Sequence, residues 1–159
     1  MTIQTAAPLP QEAMAKMTGL EQFNAIIAGR LPPPPISLAM NFRAVSAGEG
    51  LIVFEGEPSA AFLNPLGLVH GGWHAALLDS VMGCAVHTTL APGFLFTTIE
   101  MKVNYVRALM PGTGIVRGEG RIISRGARIA TSEGKLHDAK GRLIAHGTET
   151  CLIFPMKDA

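Results

Sequence analysis

The chain has 159 residues, enough for one domain with a substantial core and too few for two comfortable ones. Its 48% hydrophobic and 16% charged content describes a globular protein, and so low a charge points to further surface buried in an oligomer. A net charge of +1 gives no reason to expect nucleic acid or an anionic membrane as partner, and no stretch approaches the ~18 unbroken apolar residues of a membrane span.

Residues 1–10 have the composition of a loose tail, without the basic start and apolar core of a signal peptide, so a cytoplasmic location is the expectation. Across residues 11–29, Met14, Met17, Leu20, Phe23 and Ile27 recur at helical spacing, and Thr18 with Glu21 can cap a second helix start inside this segment. Gly29 suits a helix end, and Pro32, Pro33, Pro34 and Pro35 cannot continue one. Residues 1–35 are thus expected to be a tail, helix and stiff proline linker ahead of one domain over residues 36–159. Over residues 36–45, Leu38, Met40, Phe42 and Ala44 alternate with Asn41 and Arg43 as in a half-buried strand. The turn at residues 46–50 (SAGEG) leads into a second strand at residues 51–57, which predicts a hairpin.

After an irregular stretch at residues 58–69, the pattern predicts a long apolar helix from about Gly71 to Leu90, stopped by Ala91, Pro92 and Gly93. Four strands with short turns follow, at residues 97–107, 115–124, 127–138 and 142–154. Short turns require antiparallel pairing. A helix without a clean polar face must be covered nearly all round. An antiparallel β-sheet wrapped around one long central helix meets both conditions, which is the hotdog architecture, an α+β fold.

Between Glu57 and Glu100 the only Asp, Glu, Lys or Arg is Asp79, in the middle of that helix. A lone carboxylate in so long an uncharged segment is costly unless it is paired, hydrogen-bonded or used. Gly72, Ala76, Asp79 and Gly83 fall on one stripe, beside Ser80, while Trp73, Leu77, Val81 and Cys84 form a larger stripe suited to packing on the sheet. The first stripe leaves room for a ligand or for another helix. Gly71 and Gly72 would place unpaired N–H groups at the positive end of the helix dipole, where they can hold an oxyanion. Gly71 and Asp79 are separated by eight residues, or ~12 Å along a helix. One carbonyl cannot be polarised by one and attacked with help from the other in the same chain. Two antiparallel helices across a two-fold axis remove the difficulty, so a catalytic pairing of these residues demands a homodimer or a dimer of dimers.

Asn64, His70-Gly71-Gly72, Asp79 and Gly83, followed by Val103-Asn104-Tyr105-Val106-Arg107 and Arg125-Gly126-Ala127-Arg128, resemble in type and spacing the signature of PaaI-type hotdog acyl-CoA thioesterases. The resemblance covers roughly residues 36–154. It implies hydrolysis of an acyl- or aroyl-CoA thioester to the free acid and coenzyme A. It carries the role of general base or nucleophile to Asp79, of oxyanion donor to Gly71, and of positioning water or the carboxylate to Asn64. A strand hydroxyl that holds water falls on Thr98, with Thr97 as the alternative. Coenzyme A would enter as part of the substrate, without a metal or other cofactor.

The remaining candidates have plainer readings beside the chemical ones. His70 can orient the Gly-Gly turn or Asn64. His70 and His74 have the spacing of a zinc pair but lack the intervening Glu of HExxH, so metal binding is not expected. His87 suits packing or capping, and Cys84 has no neighbouring cation to make it a thiolate. The two cysteines, Cys84 and Cys151, form no disulfide framework. Gly72 and Gly83 could admit substrate, and Arg107, Arg125 and Arg128 could meet coenzyme A phosphates or be solvated strand-end charges. Two other functions fit the fold: an enoyl-thioester hydratase or dehydratase using His70 and Asp79, and a non-catalytic acyl-CoA binding protein. The identity of the acyl group is not written in the sequence.

Overall fold

The computed structural model of the chain describes residues 6–158. The expected tail at residues 1–10 therefore lies partly outside the described residues. Three short helices come first: α1 (Gln11–Lys16), α2 (Gly19–Ile27) and α3 (Pro35–Ala39). The second start inside the first helical segment is present. Thr18 Oγ1 accepts the Glu21 N–H, and the Glu21 carboxylate accepts the Thr18 N–H at 2.8 Å, a complete capping box. Phe23 of α2 is 6% exposed and meets the rings of Phe54 and His87 edge-on.

Residues 36–40 correct the strand expected from residue 36. Residues 36–39 belong to α3 and Met40 is its C-cap, because Pro35 sets a helical φ at its first turn and spares an unneeded N–H. Asn41 then reverses the chain at φ 53, and β1 (Phe42–Gly48) begins. The alternation of Leu38 and Met40 with later apolar residues was coincidental in phase. β1 pairs with β2 (Leu51–Gly56) across a tight turn in which Gly50 has φ 71. The Gly50 N–H donates to Thr88 Oγ1 at 2.8 Å, which ties the hairpin to the end of the central helix.

That helix, α4 (Gly71–His87), is followed by β3 (Phe94–Tyr105), β4 (Val116–Arg125), β5 (Ile129–His137) and β6 (Leu143–Pro155). α4 ends slightly earlier than expected, where the Thr88 and Thr89 hydroxyls bond back to Ala85 O and Val86 O. The six strands form one antiparallel sheet in the order β1-β2-β4-β5-β6-β3. The sheet curves around α4, as expected for the hotdog architecture. Trp73, Leu77, Leu78, Val81, Met82, Ala85 and Val86 are at most 2% exposed and fill its concave side. Each such large apolar side chain contributes on the order of 1.5–3 kcal/mol by leaving water. The sheet covers α4 incompletely, however: Gly72 and Asp79 remain exposed, with Ala75, Ala76 and Ser80 half-buried between them. Among the described residues no helix is long and apolar enough to cross a membrane.

Candidate active site

The entry to α4 is built by a loop with few regular bonds. A 3-10 turn at Ala60–Phe62 leads to a bridge between Leu63 and Val69. Asn64 Oδ1 accepts the N–H groups of Leu66 and Leu68 at 2.9 and 3.1 Å, so the side chain shapes the loop from within. His70 is the N-cap of α4. Its Nδ1 accepts the Gly72 N–H at 2.8 Å, which leaves the ring proton of a neutral His70 on Nε2. The Gly71 N–H, by contrast, meets no acceptor among the described residues. It therefore stands as a free donor at the positive end of the helix. A Cβ at Gly71 would lie 3.3 Å from the Tyr105 ring, whose hydroxyl donates to Gly71 O at 3.2 Å.

Behind this turn His74 is 3% exposed, with Nδ1 3.2 Å from His70 O. A ring nitrogen facing a carbonyl must donate, so Nε2 is the unprotonated nitrogen; it is buried without a partner among the described residues. Burial depresses the His74 pKa, and the ring is held neutral.

Asp79 sits two turns further along α4, on the uncovered stripe. Thr98 Oγ1, on β3, lies 3.4 Å from Asp79 Oδ1, whereas Thr97 is exposed on the opposite phase of the strand. The residue has open surface on the single chain, yet its carboxyl is deep enough for burial to raise its pKa, an effect partly offset by Thr98. The carboxyl lies on the side toward β3, within reach of Thr98. An acid raised in this way is a stronger base than an ordinary aspartate.

The stripe does not continue as open space to Gly83. A Cβ there would stand 2.9 Å from the Phe96 ring and 3.2 Å from Glu149 Oε1, so Gly83 makes room for this chain's own side chains. A Cβ at Gly72 would likewise meet His70 Nδ1 at 2.9 Å. The three arginines divide between the two ends of α4. Arg107 lies just past Tyr105, beside the helix start, and its N–H donates to Ile144 O. Arg125 reaches Thr89 Oγ1 at 3.1 Å past the helix end, and it also contacts Gly126 O. Arg128 is exposed in the β4–β5 turn.

Sequence reasoning missed Glu149. It occupies β6 with 1% exposure, and Oε1 accepts from Thr98 Oγ1 at 2.7 Å and from Cys151 Sγ at 3.1 Å. Burial lifts its pKa to about 7. The signal was available in the alternation of β6. Ala145, Gly147, Cys151 and Ile153 are buried on one phase, and Glu149 is the single acid on that phase. Burial also raises the Cys84 and Cys151 thiols, so neither is a thiolate. Among the described residues no group of three or more His, Cys, Asp and Glu is placed to hold a metal ion.

Comparison with known proteins bears on this arrangement. A family model for the thioesterase superfamily matches residues 66–145, which include α4 and strands β3 to β5. The acyl-coenzyme A thioesterase 13 of Homo sapiens is 31% identical over 109 residues, 67% of this chain and 75% of that protein. A phenylacetic acid degradation-related protein from Ralstonia eutropha JMP134 superposes with TM-score 0.75 at 29% identity, covering 82% of this chain and 98% of that one. A variant of the phenylacetic acid degradation protein PaaI from Thermus thermophilus gives TM-score 0.68 at 26% identity, covering 74% and 97%.

Proposed function

Because the chain belongs to the thioesterase superfamily, we propose that it hydrolyses an acyl- or aroyl-CoA thioester to a carboxylic acid and coenzyme A. The observation that carries this reading is the free Gly71 N–H at the start of the helix that also bears Asp79. One supplies a fixed donor for an oxyanion and the other a base of raised pKa.

In this reading, water adds to the thioester carbonyl as Asp79 takes its proton. The carbonyl π pair moves to oxygen, which Gly71 N–H stabilises. When the C–O double bond re-forms, the C–S bond breaks and the thiolate of coenzyme A takes up the proton from Asp79. Thr98 holds the Asp79 carboxyl, and Asn64 and His70 fix the loop that aims Gly71.

The two groups are ~12 Å apart along one helix, so each site takes Gly71 from one subunit and Asp79 from the other. Three features support a two-fold pair. The face of α4 bearing Gly72 and Asp79 is left uncovered by the sheet. β3 is an edge strand of 12 residues, a length that favours pairing with a second copy. Ile99, at the bulge in β3, is 55% exposed, and Tyr105 is 56% exposed.

Replacing Asp79 tests the central assignment. Asp79→Asn is expected to lower kcat at least ~10²-fold with thermal stability unchanged or improved. A saturated acyl-CoA should be assayed by thiol release, since a hydratase has no double bond to act on there. Undiminished thiol release by the variant would remove Asp79 from the mechanism.

A further inference from the structure

Glu149 lies one hydroxyl away from Asp79 and has no part in the reaction as written. It stands opposite Met101 of β3 and Ser132 of β5, and its side chain points at Gly83 of α4. Oε1 has two donors, Thr98 and Cys151, while Oε2 is buried without a partner among the described residues. The groups facing it are Asp79 and Cys84 from α4, Thr98 and Glu100 from β3, Cys151 on its own strand, and Ser132 from β5. Ser132 Oγ is itself buried and unpartnered among the described residues. No cation pairs with Glu149 among the described residues.

A threonine hydroxyl has one proton to give. Thr98 Oγ1 has two carboxyl oxygens in reach, Glu149 Oε1 at 2.7 Å and Asp79 Oδ1 at 3.4 Å. Were both carboxyls ionised, one of these contacts would hold two acceptors and no proton. The short contact would then take the hydroxyl away from Asp79. Glu149 would also be an anion at 1% exposure with one oxygen unpaired and no cation beside it, a burial that costs several kcal/mol. A proton on Glu149 Oε1 removes both difficulties. Glu149 then donates to Thr98 Oγ1, and the Thr98 hydroxyl proton is released toward Asp79 Oδ1.

We propose that Glu149 is a positioning residue that stays protonated and turns the Thr98 hydroxyl onto the Asp79 carboxylate. The inference rests on the reading of Asp79 as the reacting carboxylate, and Glu149 acts only through Thr98. Burial, which lifts Glu149 to about 7, keeps the proton in place below neutrality. Above that, Glu149 becomes an anion, recaptures the Thr98 proton and adds negative charge beside a reaction that itself develops an oxyanion. The hydrolysis rate should therefore fall as Glu149 ionises. Ionisation of Asp79 sets the separate rise on the acid side.

Two measurements on the full chain test this. The first is a titration of carbon-13-labelled glutamate carboxyls by NMR in the resting protein. One signal, absent from Glu149→Gln, is expected to ionise near pH 7. A Glu149 carboxyl already ionised at about pH 5 overturns the proposal. This readout needs no turnover, so its failure is distinct from that of the Asp79 assignment, which shows as undiminished hydrolysis in Asp79→Asn. The second is the pH profile of kcat. Glu149→Ala is expected to lower kcat ~10-fold or more at about pH 6 with KM within ~2-fold. Glu149→Gln, whose amide still donates to Thr98, should recover most of that loss and lack the alkaline decline. In a Thr98→Val background neither substitution should matter further, because the hydroxyl through which Glu149 acts is gone. Full additivity of Glu149 and Thr98 substitutions, or an alkaline limb that survives in Glu149→Gln, would show that Glu149 does not act this way. If Glu149→Ala does not fold, Glu149→Gln and the NMR titration decide.

Discussion

Two kinds of buried ionisable group pull the stability of this chain in opposite directions with pH. Glu149 is lifted from 4.5 to about 7 by burial, so the folded state holds its proton where the unfolded chain has lost it. Stability linked to that proton is present below about 4.5 and is lost as pH rises through about 7, an effect on the order of 3 kcal/mol. Asp79 contributes in the same direction. His87 is the opposite case. Burial lowers it from 6.5 to about 4, with its Nε2 2.9 Å from Gln22 Oε1, so its neutral ring contributes stability above 6.5 that is lost as pH falls through about 4. His74 adds to that side. Between about 4.5 and 6.5 the acid and histidine effects oppose each other, and above that the acids alone act. Melting temperatures followed by calorimetry should fall for the wild type between about pH 6.5 and 8, and Glu149→Gln should lack most of this fall. Parallel curves for the two proteins would mean that Glu149 is ionised in the fold at neutral pH.

α4 is held by contacts that exist only because the strands beneath it lack side chains. A Cβ at Gly120 of β4 would stand 2.0 Å from Val81 O and 2.4 Å from Val81 C, and one at Gly134 of β5 would meet Met82 Cγ at 2.8 Å. Helix backbone cannot move aside as a flexible side chain can. Gly120→Ala should therefore cost more than ~3 kcal/mol, above the usual range for overpacking, and show as a large drop in melting temperature or as insoluble protein. Gly48→Ala on β1 is the control, since a Cβ there meets nothing within 4 Å. A small effect at Gly120 would mean that the helix does not rest on β4 as described. The sequence carried this information as Gly118-Glu119-Gly120 inside an otherwise regular strand, a sign of close backbone approach. The strands themselves were legible from alternation, and α4 from its uninterrupted apolar run. α3 was not, because Leu38 and Met40 fall in phase with the strand that starts at Phe42, and only the Pro35 first turn and the positive φ of Asn41 separate the two. Asp79 stood out as the lone acid of an apolar helix and Gly71 as the glycine at its start. Thr98 was reached only through the family resemblance, with Thr97 left open beside it. Glu149 was less legible still. Its meeting with Thr98 depends on the register of β3 against β6, where Thr98 pairs with Cys151 and a bulge follows, and register is a property of the folded sheet.

On the scale of the whole molecule, the proposed chemistry requires groups that one chain cannot bring together. Gly71 and Arg107 are at the start of α4, while Arg125 and Arg128 lie beyond its end, roughly 25 Å away for a helix of this length. An antiparallel pair of α4 helices with Gly71 of one level with Asp79 of the other would bring the arginine groups of opposite subunits to roughly half that separation along the axis. Coenzyme A would then be held by both subunits, and each dimer would have two equivalent sites. Subunit mixing tests this directly. Asp79→Ala lacks the base but keeps Gly71, and Gly71→Val blocks the oxyanion donor but keeps Asp79. Each homodimer should be inactive. A mixed dimer has one site in which both groups are intact and one in which both are lost. With random exchange at equal amounts, half the dimers are mixed and about one quarter of all sites should be active. The recovered thiol release should approach that fraction of the wild-type rate and vanish if the subunits are cross-linked as homodimers before mixing. Exchange demonstrated by mass spectrometry with no recovery would place each site within a single chain. The Gly71–Asp79 separation would then have to be bridged by something other than a second copy, and hydrolysis by these two groups together would be untenable.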